Sequence, residues 1–135
     1  MEMQERMKLY LFDVDGTLNI SDRLPGPIDI RDVIYLKNQG NAVGIMGDWR
    51  GVIKVYPEWW KVFCIVAPIE HFTGTPIAPM KANDLIVLKR QMPAVWEIIM
   101  VGNRPGVHPG SNDSGAALLA GIRFISETDF ANGKR

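Results

Sequence analysis

Five short apolar runs recur along the chain, and the segments between them have the spacing of amphipathic helices. Each run is almost continuously apolar, as a strand is when a parallel sheet is covered on both faces. The repeated β-α-β order predicts an α/β fold with an open parallel sheet and right-handed crossovers. The predicted strands are residues 9–12, 42–46, 62–67, 97–101 and 122–125.

Three segments between these runs are predicted helices. The first, "IDIRDVIYLKNQG", ends at Gly40, a residue type typical of helix C-termini. The second, "KANDLIVLKRQMP", stops at Pro93, and the third, "NDSGAALLAGI", has Ser111 or Asn112 as its N-cap. The apolar stripes of the first two helices consist of Ile30, Val33 and Ile34, and of Leu85, Leu88 and Met92.

Composition sets the class of protein and narrows its partners. A chain of 135 residues that is 47% hydrophobic is long enough to form a single domain over residues 1–135. Its 15 basic and 15 acidic residues balance, so net charge does not indicate nucleic acid or a membrane as a partner. No apolar run approaches the ~18 residues of a membrane span, and no export signal opens the chain, so we expect a cytoplasmic protein.

Three further expectations concern local packing. Cys64 lies in the apolar run "VFCIVA" and is predicted to be an unreactive core thiol. Trp59 and Trp60 are adjacent and cannot share one face, so one is predicted to pack on the sheet. The other is then available as a substrate wall or a subunit contact. The last residues, "ANGKR", are predicted to be loose.

Two aspartates follow the first strand directly, in the stretch "KLYLFDVDGTLN". Ligands of an open α/β sheet collect beyond the carboxyl ends of its strands, which is where Asp13 and Asp15 fall. One carboxylate can attack a phosphorus atom, and the other can exchange protons with the leaving group and with water. Because carboxylate and phosphate are both negative, this chemistry needs magnesium (Mg2+). Gly16 allows a tight turn that aims backbone amides at the anion.

Two other interpretations of this pair explain less. A calcium loop of the type D-x-[DN]-x-[DN]-G would place its glycine at the sixth position, whereas Gly16 is at the fourth and a strand precedes it. A solvated strand end with two surface aspartates would not account for the residues downstream.

The stretch "FDVDGTL" resembles the first motif of the haloacid dehalogenase (HAD) superfamily, and "VGNRPGVHPGSNDSGAALLAGIRFI" resembles the fourth. With the spacing between them, the resemblance covers almost the whole chain. It implies a Rossmann-like three-layer fold with a mostly parallel five-stranded sheet and no separate cap domain. It also implies a magnesium-dependent phosphatase.

The resemblance assigns roles to individual residues. Asp13 would be the nucleophile and a metal ligand. Asp15 would be the general acid/base and would offer its backbone carbonyl to the metal. Lys81, which opens the second predicted helix, would neutralise the phosphate and the nucleophile. Lys89 is the alternative, on the predicted solvated face of the same helix.

Two departures from the family's pattern affect the metal and the phosphate. Asn103 stands where the family has an acidic ligand, and it can offer the metal an oxygen but no charge. Nine residues separate it from Asp113, which would reach the metal directly or through water. The family's phosphate-binding hydroxyl falls at Met46 or Gly47, and neither residue has one; Gly47 could still donate its backbone amide. The departures leave open a weak or inactive module that binds phosphate or a partner.

The resemblance implies that the substrate is a phosphorylated compound of unknown identity. By the resemblance, a capless member leaves its site open to a phosphorylated protein, a nucleic-acid end or a sugar acid. Some capless relatives close the site with a neighbouring subunit, so a homo-oligomer is a further expectation. Transfer of the phosphoryl group to an alcohol would share the first half of the mechanism. His71 and His108 are predicted to lie in loops. A lone histidine in a loop is usually solvated rather than part of a site.

Overall fold

The computed structural model describes residues 7–47, 49–68, 78–91, 97–103 and 113–135. Strands and helices alternate along these residues, as the apolar runs predict. The elements in chain order are β1 (Lys8–Phe12), α1 (Ile30–Asn38), β2 (Ala42–Gly47), α2 (Arg50–Val55), β3 (Ile65–Pro68), α3 (Ala78–Gln91), β4 (Glu97–Gly102), α4 (Asp113–Ala120), β5 (Arg123–Ser126) and α5 (Glu127–Ala131).

Within the described residues, five strands form one sheet in the order β3-β2-β1-β4-β5. The strands pair in parallel, with Phe12 opposite Ile45 on one side and opposite Val101 on the other. The predicted α/β class and the parallel sheet are confirmed. Strand order reverses at β1, because β2 and β3 lie on one side of it and β4 and β5 on the other. The crevice between β1 and β4 is therefore the expected ligand position.

Helices cover both faces of the sheet, because alternate side chains of each buried strand point to opposite faces. On one face, α1, α2 and α5 pack on a core that includes Tyr10, Phe12, Ile45, Val101 and Phe130. On the other, α3 and α4 pack on Leu9, Leu11, Met46, Met100 and Leu85. The arrangement is a three-layer α/β sandwich.

Helix α1 is close to its prediction. Val33 and Leu36 are buried, Ile30 and Ile34 pack against the core from its rim, and Gly40 follows with a positive φ of 95°. Only a residue without a Cβ adopts that conformation readily, which is why the helix stops there.

Asp29 caps α1 and makes the stability of the helix depend on pH. Its carboxylate accepts hydrogen bonds from the side chain and from the backbone N–H of Arg31, and these bonds hold the pKa of Asp29 below its usual value. A depressed pKa means that the carboxylate stabilises the fold above the unfolded-state pKa. That contribution is lost as the pH falls through the folded-state pKa.

We therefore expect Asp29→Ala to lower the Tm by a few degrees at about pH 7, and the difference from wild type to shrink at about pH 2. Thermal unfolding at both pH values measures this. Asp29→Asn is the control, since it keeps the capping oxygen and loses the charge; its deficit at neutral pH should be the smaller of the two. An alanine deficit of equal size at both pH values would contradict the assignment.

The predicted core position of Cys64 was wrong, because the residue is exposed and its thiol donates to the Val43 carbonyl over 3.4 Å. Strand β3 begins at Ile65, three residues later than predicted, and lies at the edge of the sheet. Cys64 thus precedes the strand, with its backbone N–H donating to the carbonyl of Val43 over 3.0 Å.

The adjacent tryptophans divide as predicted. Trp59 is partly buried and packs against the core, whereas Trp60 is 63% exposed and lies under the ammonium of Lys61 at 5.5 Å from the ring centroid. The chain forms the six-residue helix α2 before them and a 3-10 turn at Trp59–Lys61. Pro57 lies between the two.

The prediction of a loose C-terminus was also wrong. Helix α5 buries Phe130, whose ring lies edge-on to Phe12 with centroids 5.2 Å apart. The guanidinium of Arg135 covers the Phe130 ring at 3.8 Å and donates to the Phe130 carbonyl over 2.7 Å. Arg135 is therefore held at the Phe130 ring, a contact that composition does not reveal.

Some predictions lie outside the described residues: the N-cap at Ser111 or Asn112, the place of Met92 on the apolar stripe, the helix stop at Pro93, and both histidines. In the part of the chain that is described, no helix has the length and apolar character needed to cross a membrane.

Candidate active site

Asp13 and Asp15 lie directly after β1, at the carboxyl end of the sheet where strand order reverses. The backbone N–H of Asp13 continues the β1–β4 pairing by donating to the Val101 carbonyl over 2.9 Å. Both carboxylates are largely buried, with 6% of Asp13 and 7% of Asp15 exposed. The strand pairing therefore holds two acidic side chains at the expected ligand position.

Asn103 follows β4 and joins this pair to the rest of the site. Its side-chain amide nitrogen donates to the carboxylate of Asp13 (Oδ2, 3.1 Å) and to the backbone carbonyl of Asp15 (2.6 Å). Its amide oxygen accepts from the hydroxyl of Thr17 over 3.0 Å. Only 1% of Asn103 is exposed. One buried carboxamide thus connects three positions of the first motif, and the resemblance to the HAD family does not predict these bonds.

Asp113 opens α4 on the other side of Asn103. Its carboxylate accepts from the backbone N–H of Asn103 over 2.9 Å, and the residue is fully buried. Gly102 permits this approach, because a Cβ added there would overlap the Asp113 side chain. The structure therefore brings together four of the residues predicted to form the site, Asp13, Asp15, Asn103 and Asp113.

Two hydroxyl residues belong to the site although sequence reasoning gave them no role. Ser21 donates to the Asp15 carboxylate over 2.7 Å, and Thr17 donates to Asn103. Both are buried, which is unusual for residues in a loop rich in glycine and proline. Thr17 was visible in the "DGT" stretch, but nothing in the spacing marks Ser21.

Met46 and Gly47, the two candidates for the phosphate-binding position, point to different places. The Met46 side chain is fully buried in the core beneath α3 and α4, on the far face of the sheet from α1. Gly47 lies against Asp13, since a Cβ added there would overlap Asp13 Oδ1. Only Gly47 therefore borders the candidate site, and it leaves no room for a hydroxyl-bearing side chain while Asp13 stays in place.

The turn at Gly16 forms as predicted, but its amides have other partners. Gly16 has a φ of 75°, which favours glycine. Its N–H donates to the Leu24 carbonyl over 2.6 Å, and the amides of Thr17 and Leu18 both donate to the Val14 carbonyl. In this conformation these three amides are engaged within the loop, so they do not form the anion cradle that the motif predicts.

Lys81 is the fourth residue of α3, which begins at Ala78 rather than at Lys81 because a proline, Pro79, is tolerated in the first turn of a helix. The Lys81 side chain lies outside the described residues. Lys89 is described and is exposed, as the helical spacing predicts.

The donor set of this site suits magnesium in composition. The Asp13 carboxylate, the Asp15 carbonyl and the Asn103 carboxamide are oxygen-bearing groups of the kind that Mg2+ binds. Among the residues the structure describes, no three His, Cys, Asp or Glu side chains group to hold a metal ion. A metal ion here would instead take a carboxamide and a backbone carbonyl among its ligands. The set fits magnesium on one condition, that the Asn103 amide oxygen, rather than its nitrogen, faces the ion.

Comparison of the chain with protein-family models, with curated proteins and with solved structures gave no match. The function is therefore inferred from the residues and from their geometry.

Proposed function

We propose that this chain is a HAD-like, magnesium-dependent phosphomonoester hydrolase that works through an aspartyl-phosphate at Asp13. The observation that carries the proposal is the pair of carboxylates at the crevice between β1 and β4. Asp13 and Asp15 are both more than nine-tenths buried, and Ser21 orients the second by donating to it over 2.7 Å. A solvated strand end would leave both side chains exposed.

In the proposed reaction, a carboxylate oxygen of Asp13 attacks the phosphorus atom and the bond to the leaving oxygen breaks. Asp15 gives that oxygen its proton, so that an alcohol departs and an acyl phosphate remains on Asp13. Asp15, now ionised, takes a proton from water as the water oxygen attacks the same phosphorus. The phosphorus–Asp13 bond breaks, inorganic phosphate leaves, and both carboxyl groups return to their starting protonation states.

Magnesium, when bound, would screen the negative charges of the carboxylate and the phosphate from each other. Asp13, the backbone carbonyl of Asp15 and Asn103 would hold it, with Asp113 close by through the Asn103 backbone. Lys81 is proposed to neutralise the phosphate. The amide of Gly47, which borders Asp13, is the proposed phosphate contact from β2.

The test is release of inorganic phosphate from an aryl phosphate by the wild-type chain, with magnesium and with a chelator. We expect release with magnesium and a large loss with the chelator. Phosphate bound to the protein after acid quenching should be labile to hydroxylamine, as an acyl phosphate is. Phosphate release without such an intermediate would reject the nucleophilic role of Asp13.

A second candidate function is a binding module that takes up phosphate or a partner without turning it over. One observation favours it: the amide nitrogen of Asn103 faces Asp13, where a magnesium-dependent hydrolase would present an oxygen. A chain that inorganic phosphate stabilises against thermal unfolding, but that releases no phosphate from any ester, would be such a module.

A further inference from the structure

The Asn103 amide nitrogen lies between two oxygens that can only accept hydrogen bonds. Asp13 Oδ2 belongs to a carboxylate and Asp15 O to a backbone carbonyl, at 3.1 and 2.6 Å from the same nitrogen. An ionised carboxylate and a peptide carbonyl carry no proton, so neither can donate a hydrogen bond to an amide oxygen. The Asn103 side chain must therefore place its NH2 group, rather than its oxygen, at this position. The NH2 group is the positive end of the carboxamide dipole, and it donates to both oxygens.

A divalent cation would use the same two oxygens. Hard cations are bound by carboxylate and carbonyl oxygens that converge on one point, and here an N–H group occupies the position where those oxygens converge. The cation and the NH2 group therefore compete for Asp13 Oδ2 and Asp15 O. The competition is strong because Asn103 is 1% exposed, so a displaced NH2 group cannot turn to water.

Thr17 provides the alternative partner. Its hydroxyl donates to the Asn103 amide oxygen over 3.0 Å in the observed arrangement. A hydroxyl also accepts hydrogen bonds, so after a half-turn of the carboxamide the same oxygen could receive the NH2 group. Both orientations of Asn103 then keep a hydrogen bond at Thr17, and only one of them presents an oxygen to a cation.

We propose that the Asn103 carboxamide acts as an internal substitute for the metal ion: it cross-links Asp13 and Asp15 in the metal-free protein and rotates to admit magnesium. This inference rests on the proposed function for the identity of the ion. It adds that cation binding is weakened by the two hydrogen bonds of Asn103 that it must break. Asn103 is a positioning residue in the first state and a ligand in the second.

The experiment is a titration with Mn2+, a spectroscopically visible substitute for magnesium. Binding is measured as the decrease in the signal of the free Mn2+ ion. Wild type, Asn103→Asp, Thr17→Val and Asn38→Asp are compared. Asn103→Asp removes the competing NH2 group and adds a charge, so we expect it to bind Mn2+ at least about ten-fold more tightly than wild type, the equivalent of one hydrogen bond to a charged group. Asn38→Asp adds the same charge at the exposed end of α1 and should match wild type.

Thr17→Val should bind the ion more weakly than wild type, because the rotated NH2 group loses its acceptor. A second measurement uses the wild-type protein alone and so does not depend on whether a variant folds. In its NMR spectrum, the side-chain amide resonances of Asn103 should shift as magnesium saturates the protein. Equal Mn2+ affinity of wild type and Asn103→Asp, or amide resonances that stay fixed at saturation, would overturn the inference. So would the absence of binding in both proteins.

These results are independent of catalysis. If Asn103→Asp binds Mn2+ at least about ten-fold more tightly than wild type and the wild-type Asn103 resonances shift with magnesium, this inference stands even if no phosphate is released. If wild type hydrolyses phosphate esters while its Asn103 resonances stay fixed, the proposed function stands and this inference fails.

Discussion

Replacement of Asp13 by asparagine is expected to lower magnesium-dependent phosphate release by at least about 10^3-fold while the fold is kept. An amide has no charge and no nucleophilic oxygen, so the acyl phosphate cannot form. The fold should persist because asparagine is nearly the same size and its own amide oxygen can accept the bond that Asn103 now donates to Asp13 Oδ2. Phosphate release and thermal unfolding measure the two effects.

The matched control is Asp32→Asn, the same chemical change in the first turn of α1, which should keep the wild-type rate. Asp13→Asn should also lose the hydroxylamine-labile phosphate. An Asp13→Asn variant that is as active as wild type would show that the nucleophile lies elsewhere.

The second large effect is expected at Gly47, where Gly47→Ala should lower phosphate release by about 10^2-fold. A Cβ at this position would overlap Asp13 Oδ1, so the carboxylate must move. A displacement of about 1 Å is enough for a loss of that size. Gly47→Ser should lose activity too, although by the family resemblance it restores a phosphate-binding hydroxyl.

Gly51→Ala is the control for these variants. The added Cβ would meet Asp22 at ordinary contact distances of 3.6 and 3.8 Å, so activity should be unchanged. Steady-state rates of phosphate release by Gly47→Ala, Gly47→Ser and Gly51→Ala measure these effects. A Gly47→Ser protein that is faster than wild type would contradict this prediction. It would mean that Asp13 can move without loss of activity and that the added hydroxyl raises the rate.

The sequence predicts the framework of the site well, for a simple physical reason. Strands buried on both faces are long apolar runs, so the ends of β1 and β4 can be read within one or two residues. Residues that follow neighbouring parallel strands lie side by side at one edge of the sheet, and the pairing of β1 with β4 places Asp13 near Asn103. What the sequence cannot supply is the direction of a hydrogen bond: the amide of Asn103 was expected to offer oxygen, and it presents nitrogen.

Other features of the site and the core were not predicted because they depend on the exact strand register or on contacts between distant residues. Met46 and Gly47 are neighbours, yet consecutive side chains of a strand point to opposite faces, so only one of them borders the site. Cys64 was assigned to the core because an apolar run does not reveal where an edge strand begins. Ser21 reaches Asp15 through the fold of its loop, which no local periodicity encodes.

The pairing of β1 with β4 also has a consequence for the order of assembly. The bond between Asn103 and Asp13 joins residues 90 positions apart, so the site does not exist until β4 has docked. While a ribosome is still making the chain, β1 can pair with β2 but lacks its second neighbour. We expect an unpaired apolar edge in the nascent protein, a surface on which chaperones act and from which misassembly begins.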